Sequence, residues 1–588
     1  LVIALWAALV AGALHVLIVG VRRLVLDGFI WFSRDVVWMS PLGYLLTFAP
    51  FAIVGAAGAW LLPHRWVRRL AIIGFAALVV FAFLLPVTQL ARAASAALAV
   101  GVGVQVMRMV DRWGEHMTPR LLRQSAVLAL LLFVATLGVT AGRMWNARQS
   151  ATPATASAAS DAPNVLMIIL DTVRAASLSA FGYARETTPE MKKRAAEGVL
   201  FESAYATAPW TLASHATMFT GRYPGETSVD WLVPLDDEPT TLAEIFRARG
   251  YSTAAVVANH HYASYESGLS RGFAYYDDYV VSLRQILRST WFGRTDMFKR
   301  ALRVPTWKQR VRAITSLNFW TNTNSTADPR DAAEITTAFL DWHARAPERP
   351  FFAFLNYMDA HEPVEPPAPY DTLFGRPPTA IDLYDGALRY QDVQLARMLD
   401  ELARRGALDN TIVVYTADHG ELLGEHNLRG HSHNMYDPVL RVPLFIRAPG
   451  RVPAGVRVSA PVTLRDLAAT ILDLTGARSA DTIPGTSLAA HWTTDAMTPT
   501  SQVLSEVTKG INLEPWMPIA KGPMKSFVHD RWHYIRNGDG REEVYDLAND
   551  PAEANNVATA AAFRDTLAAL RGRVDSMLAR RPRVGGDR

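Results

Sequence analysis

Two kinds of apolar pattern divide this chain. Up to about residue 145 the hydrophobic positions form long, nearly unbroken windows; beyond it they form short runs alternating with helical spacing. Five windows, near Val2–Val21, Gly43–Leu62, Leu70–Leu90, Ala93–Met109 and Ser125–Ala141, approach the length that crosses a hydrocarbon core of ~30 Å. A signal peptide would account for the first window but not the other four, so the pattern predicts a multi-span helical membrane region over 1–148. The next stretch, 149–163, is a Ser/Ala/Thr/Pro linker without apolar period.

Past the linker the pattern becomes that of an α/β domain, expected over 164–500 with a C-terminal subdomain and tail over 501–588. NVLMIIL, from Asn164, reads as a buried strand of a parallel sheet and ends in Asp171; TIVVYTA, from Thr411, repeats the design and ends in Asp418 and His419. Helices are expected at 189–197, at Leu212–Thr220 closed by Gly221, in TTLAEIFRAR before Gly250, and at 332–344 and 380–405. STAAVVAN, PFFAFLNY and RVPLFIRAP supply further strands. This alternation predicts a mostly parallel sheet covered on both faces, with chemistry at the carboxyl ends of its strands.

Charge refines the picture in three places. Arg65, Arg68 and Arg69 lie between windows two and three, and Arg108, Arg112, Arg120 and Arg123 between four and five. Placing both loops in the cytoplasm sends everything after Arg148 outward, although Arg22, Arg23 and Arg34 then fall on the outer side. The expected location is the cytoplasmic (inner) membrane, with the soluble domain facing the periplasm or outside. Trp31, Phe32 and Trp38 are expected as an interfacial aromatic belt. Residues 279–327 interrupt the α/β rhythm with Arg284, Arg288, Arg294, Lys299, Arg300, Arg303, Lys308, Arg310 and Arg312 against one acid, Asp296. The interleaved Leu283, Ile286, Leu287, Trp291 and Phe292 suit either a basic amphipathic helix on an anionic membrane or a solvated insertion with its apolar face on the domain.

Over all 588 residues the net charge is only +4, which gives no footprint for nucleic acid. With no cysteine, disulfides, thiolate metal sites and cysteine-derived catalytic groups are excluded. Leu1 stands where a Met would, so a few residues are expected to precede it. Two carboxylates, an imidazole and the hydroxyl of Thr211, on a turn entering a helix, compose a hard-metal site with a nucleophile beside it.

The runs LDTVRAASLSAFGY, TAPWTLASHATMFTGRYP, NYMDAHEP, TADHGELLGEH, GHSHNMYDPVLRVPL and EEVYDLANDPAEANN, in this order, resemble the sulfatase family within the alkaline-phosphatase superfamily. The resemblance implies an alkaline-phosphatase-like sandwich with a small antiparallel C-terminal subdomain. It implies one divalent cation (Ca²⁺, Mg²⁺, Mn²⁺ or Zn²⁺) on Asp171, Asp418, His419 and Thr211, with Thr211 also the nucleophile. His361, His431 and His433 become candidates to bind the anion or protonate the leaving group, as does His215, where many sulfatases carry Arg. Arg174 is expected to order the loop at Asp171, and Asp359 to cap a turn.

Two positions depart from the family. Thr211 stands where formylglycine sulfatases need Cys or Ser, and Thr172 where many carry a second metal-binding Asp. A Thr nucleophile beneath about five spans looks like lipoteichoic-acid synthases and phosphoethanolamine transferases instead. The expected function is therefore a membrane-anchored, metal-dependent hydrolase or transferase acting on sulfate or phosphate esters outside the cytoplasmic membrane. Its expected partners are membrane lipids and an anionic ester of a lipid or glycan. The alternatives are a sulfuric ester hydrolase using a metal-bound water and a non-catalytic lipid- or glycan-binding module.

Overall fold

The computed structural model describes residues 1–25, 32–87, 90–112, 116–151, 161–279, 281–295, 330–345, 349–477, 483–493, 502–510 and 514–581. Its contacts divide into two compact units, one of residues 1–151 with 279–328 and one of 152–278 with 329–588.

The first unit contains α1 (Val2–Leu24), α2 (Val36–Gly58), α3 (His64–Leu84), α4 (Arg92–Asp111) and α5 (Met117–Ala151). All five are long and apolar enough to cross a membrane. Small residues let them approach closely: a Cβ on Gly12 would lie 2.6 Å from Pro41 Cα, and one on Gly103 would lie 2.5 Å from the Ile73 carbonyl oxygen. Ala4, Ala7, Ala8 and Ala11 of α1 thereby pack against Tyr44 and Phe48 of α2 and Phe75 of α3.

Two expectations for this unit change. The second helix starts at Val36, seven residues before its apolar window, and carries Pro41 and Pro50 within it, as spans do when neighbouring helices satisfy the freed carbonyls. Trp38 is therefore helical, donating from Nε1 to Asp35 at 3.1 Å. Phe32 is buried, its face covered by the Arg294 guanidinium at 3.5 Å, so it is not a belt residue. Trp31 lies outside the described residues.

The other change concerns the basic insertion. Its described part, 281–295, groups with the five helices, whereas a solvated insertion was one of the two expectations. Its short helix Leu283–Arg288 lies on α2 at Gly43, where a Cβ would meet the Ile286 carbonyl oxygen at 2.4 Å. Ser40 Oγ donates to the Ser289 carbonyl at 2.5 Å. Trp291 stacks on His15 of α1 at 4.9 Å, and Phe292 contacts Phe48 and Phe81, both at 6.2 Å. The insertion's Asp296, Lys299, Arg300, Arg303, Lys308, Arg310 and Arg312 lie outside the described residues.

The second unit is a mixed α/β fold. Its strands are β1 (Asn164–Leu170), β2 (Val199–Tyr205), β3 (Ser252–Val257), β4 (Tyr275–Asp277), β5 (Phe351–Tyr357), β6 (Thr411–Ala417), β7 (Leu422–Leu423), β8 (Arg429–Gly430), β9 (Arg441–Arg447), β10 (Val456–Val458) and β11 (Val462–Thr463). The central sheet runs β10-β2-β9-β6-β1-β5-β3-β4, with β11 also on β2. Among the described residues of this sheet, only β9 runs antiparallel to its neighbours. β1 and β6 sit at its centre with nearly every residue buried, which is why both are unbroken apolar runs. Around the sheet pack α6 (Pro189–Ala195), α7 (Thr211–Thr220), α8 (Leu242–Ala248), α9 (Ala332–Arg345), α10 (Ala380–Arg404) and α11 (Leu467–Leu474). Arg330, where the chain resumes after the insertion, donates to the Asp277 carbonyl and pairs with its carboxylate, both at 3.2 Å.

A separate antiparallel sheet follows, β12 (Val503–Val507), β13 (Met524–His529), β14 (Trp532–Arg536) and β15 (Glu542–Asp546), in sequential order. Leu570 and Val574 of α12 (Arg564–Ala579) close its apolar face over Leu504, Phe527, Tyr534 and Val544.

Candidate metal centre and nucleophile

Strand register builds the site. β1 and β6 pair so that Leu170 lies beside Ala417, and the next residue of each, Asp171 and Asp418, leaves the sheet edge side by side. Thr172 turns the chain there with φ at 60°, a left-handed conformation costly for a β-branched residue. That turn aims its N–H at Asp418 Oδ1, 3.3 Å away. The His419 N–H donates to the same oxygen at 2.9 Å.

Helix α7 brings the hydroxyl. Trp210 is extended, and Thr211 opens a helix in which every side chain is buried. Ser214 Oγ ties the helix to the Asp418 carbonyl at 2.6 Å, and His215 Nδ1 bonds the Thr211 carbonyl at 2.8 Å. Gly221 ends the helix at φ 65°, where a Cβ would strike the Pro484 carbonyl oxygen at 2.0 Å. Thr211 Oγ1 then stands 3.5 Å from His419 Nε2. His419 Nδ1 bonds the Gly420 carbonyl at 3.1 Å, which makes Nδ1 the donor and leaves the Nε2 lone pair facing the centre.

The donor set fits a hard divalent cation. Ligand atoms of Asp171, Asp418 and His419 all lie within 4.8 Å of one another, and all three residues are buried. Asp171 Oδ1 and Asp418 Oδ2 are buried without a hydrogen-bond donor. Burial first, and the Asp171 charge second, push the Asp418 carboxyl well above its usual range. Burial holds the His419 imidazole well below its own, in the neutral, ligating form. Two facing carboxylates out of water are costly unless a cation lies between them.

The structure places the other candidates at different distances from this centre. His215 is fully buried against Phe354, 3.6 Å from Asp418 Oδ2, and burial lowers its pKa to about 4. His431 stacks on His419 at 4.5 Å, and its Nδ1 meets Glu421 Oε2 at 3.0 Å. Burial, the largest single influence, lowers the His431 pKa, but the charge and hydrogen bond of Glu421 together with the charges of Asp171 and Glu362 turn the net shift upward. His361 lies edge-on to His431 at 5.1 Å. His433 Nδ1 bonds the His431 carbonyl at 2.6 Å, and burial lowers its pKa.

Arg174 bonds Ser177 Oγ at 2.7 Å and pairs with Glu425, ordering the loop after Asp171. Asp359 accepts from the Ala332 N–H at 2.9 Å, at the start of α9, and from Gln391.

Sequence reasoning missed Asn259 and Glu421. Asn259 Nδ2 donates to Asp171 Oδ2 at 2.6 Å and lies 3.2 Å from Thr211 Oγ1, while its Oδ1 accepts from the backbone of His261 and Tyr262. Its one signal was a polar residue just past the strand STAAVVA, on the edge that carries both aspartates. Glu421 closes the run Asp418-His419-Gly420-Glu421.

Comparison with known proteins follows this geometry. The sulfatase family model matches residues 163–477. An arylsulfatase of Clostridium perfringens is 24% identical over 474 residues, covering 70% of this chain and 93% of that protein. A choline-sulfatase of Rhizobium meliloti is 24% identical over 464 residues, covering 69% and 86%. Among solved structures, a phosphonate monoester hydrolase of Agrobacterium radiobacter has the same fold, with a TM-score of 0.56 and 22% identity over 71% of this chain and 95% of that one. With more than half of its residues matched by the family model, the chain belongs to the sulfatase family, whose members are metal-dependent ester hydrolases.

Proposed function

We propose that the chain is a membrane-anchored hydrolase or transferase of phosphate or sulfate esters, acting outside the cytoplasmic membrane with Thr211 as nucleophile. Residues 1–148 are the anchor, 149–163 the linker, 164–500 the catalytic domain and 501–588 the C-terminal subdomain and tail. The observation that carries this reading is the hydroxyl of Thr211 beside two buried carboxylates with undonated oxygens and a neutral imidazole.

Asp171, Asp418, His419 and Thr211 would hold one divalent cation, which would supply charge neutralisation and a lowered hydroxyl pKa when bound. The chain's own groups do the rest. The Asn259 amide N–H fixes Thr211 Oγ1 for attack on the tetrahedral phosphorus or sulfur. Thr211 releases its hydroxyl proton to solvent; as the Oγ–P (or Oγ–S) bond forms, the bond to the ester oxygen breaks, and the departing oxygen takes a proton from His431, which Glu421 orients. Water or a second alcohol then cleaves the Thr211 ester and restores the hydroxyl.

A phosphorus centre is favoured because Thr211 yields no formylglycine aldehyde. Mass spectrometry of enzyme quenched during turnover tests this: phosphate esterified to Thr211 is the expected result, and full activity in Thr211→Ala refutes it. Paired aryl phosphate and aryl sulfate substrates then rank the two chemistries.

A further inference from the structure

Resting on that reading of the site, we infer that the mouth beside Thr211 is a subsite for an apolar tail, so that the substrate is an amphiphile whose ester lies next to a lipid chain. Among the described residues of the catalytic unit, six large hydrophobics are strongly exposed: Leu232, Val233, Tyr265, Leu373, Ile381 and Trp516. Three of these lie on segments that flank the nucleophile.

On one side the chain makes a tight turn in which Asp230 and Val233 exchange both backbone hydrogen bonds, at 3.1 and 2.9 Å. The Asp230 carboxylate fixes the turn by accepting from the Trp231 N–H and from Thr508 Oγ1, both at 2.8 Å. Trp231 and Leu232 occupy its tip. Trp231 stacks at 4.4 Å on Trp210, the residue before Thr211, and Leu232 and Val233 are 40% and 42% exposed. A second segment brings Trp516, 58% exposed, edge-on to His433 at 5.9 Å, and His433 belongs to a loop whose Ser432 N–H donates to the Pro209 carbonyl at 2.8 Å. The Ile519 N–H bonds the His433 carbonyl at 3.3 Å and holds that segment at the site.

Ordered turns thus hold apolar side chains in water around a polar centre, an arrangement that gains free energy only when something apolar covers it. Aromatic faces alone would also suit a sugar ring, but the side chains of Trp231, Leu232 and Val233 offer a hydroxyl nothing beyond one indole N–H, which already faces the Thr508 carbonyl at 3.5 Å. Five helices of the same chain are long and apolar enough to cross a membrane, and such an anchor would keep the catalytic unit near the amphiphiles of a bilayer.

Binding of ethylphosphonate and octylphosphonate, neither of which has an ester to cleave, tests the subsite. Calorimetry uses the full chain in lipid nanodiscs, corrected for uptake by empty nanodiscs. The octyl compound is expected to bind at least about tenfold more tightly, as burial of a few methylenes predicts. The double variant Leu232→Asp/Val233→Asp, and Trp516→Ala separately, should bring the ratio to within about twofold while leaving ethylphosphonate affinity unchanged. Equal affinities in the unaltered chain overturn the inference, as does a ratio that survives in these variants or a hexose phosphate that outbinds octylphosphonate. Thr211→Ala should keep the octyl preference while losing ester cleavage, so failure of the nucleophile assignment and failure of the tail subsite give different results.

Discussion

The two units of this chain reach order by opposite routes. In the helical unit, tightness comes from what is missing: Gly12, Gly43 and Gly103 admit a neighbouring backbone because they have no side chain. In the catalytic unit, polar groups converge on one sheet edge, where Asp171 and Asp418 face each other buried and short of hydrogen-bond donors. The first arrangement serves stability. The second costs stability in the metal-free chain, the trade expected where a site concentrates like charge.

Substitutions can break that contrast, and the largest effect should come from the proposed nucleophile. Thr211→Ala is expected to lower kcat by about four orders of magnitude or more with an unchanged melting temperature, measured on aryl phosphate and by thermal scan. Loss of fold along with activity would blur the division between the units. Next, Asn259→Ala removes one preorganised donor at Thr211 and should lower kcat roughly a hundredfold, with KM moving far less. A matching rise in KM alone would make Asn259 a substrate-binding residue.

Asp418→Asn sharpens the comparison further. Elemental analysis should show loss of bound metal, while the metal-free protein gains about 1–3 kcal/mol because one of two facing carboxylates is neutral. In the helical unit the sign reverses: Gly43→Leu should destabilise by about 1–3 kcal/mol, since its side chain has nowhere to go beside Ile286. Ser40→Ala, which leaves the Ser289 carbonyl without its donor, should cost about 1 kcal/mol, read as a small drop in melting temperature.

The same contrast explains what could be read in advance. β1 and β6 were legible because a central parallel strand is buried on both faces and so appears as one apolar run. The residues ending those runs, Asp171, Asp418 and His419, were legible with them. Asn259 was not, because its role depends on β3 lying beside β5 and β5 beside β1, a strand order that no local pattern encodes. The family resemblance anticipated the central sheet and the antiparallel subdomain, both of which the structure contains.

In the helical unit, length and hydropathy revealed all five helices. They did not reveal which glycine faced which partner. The insertion was harder, since its arginines dominated the pattern while Trp291 and Phe292 made its contacts with α1, α2 and α3. Phe32 was misread for the same reason: an aromatic beside a span suits an interface until a partner such as Arg294 covers it.

The pairing of Arg330 with Asp277 has a consequence for how this protein can be built and rebuilt. The polypeptide departs on its excursion and comes home to nearly the same point, so β4 and α9 are joined by geometry as well as by the intervening chain. A short bridge from 278 to 330 could therefore replace the whole excursion without pulling on the sheet. For the sheet the insertion is therefore dispensable, because the catalytic core closes on itself where Arg330 meets Asp277.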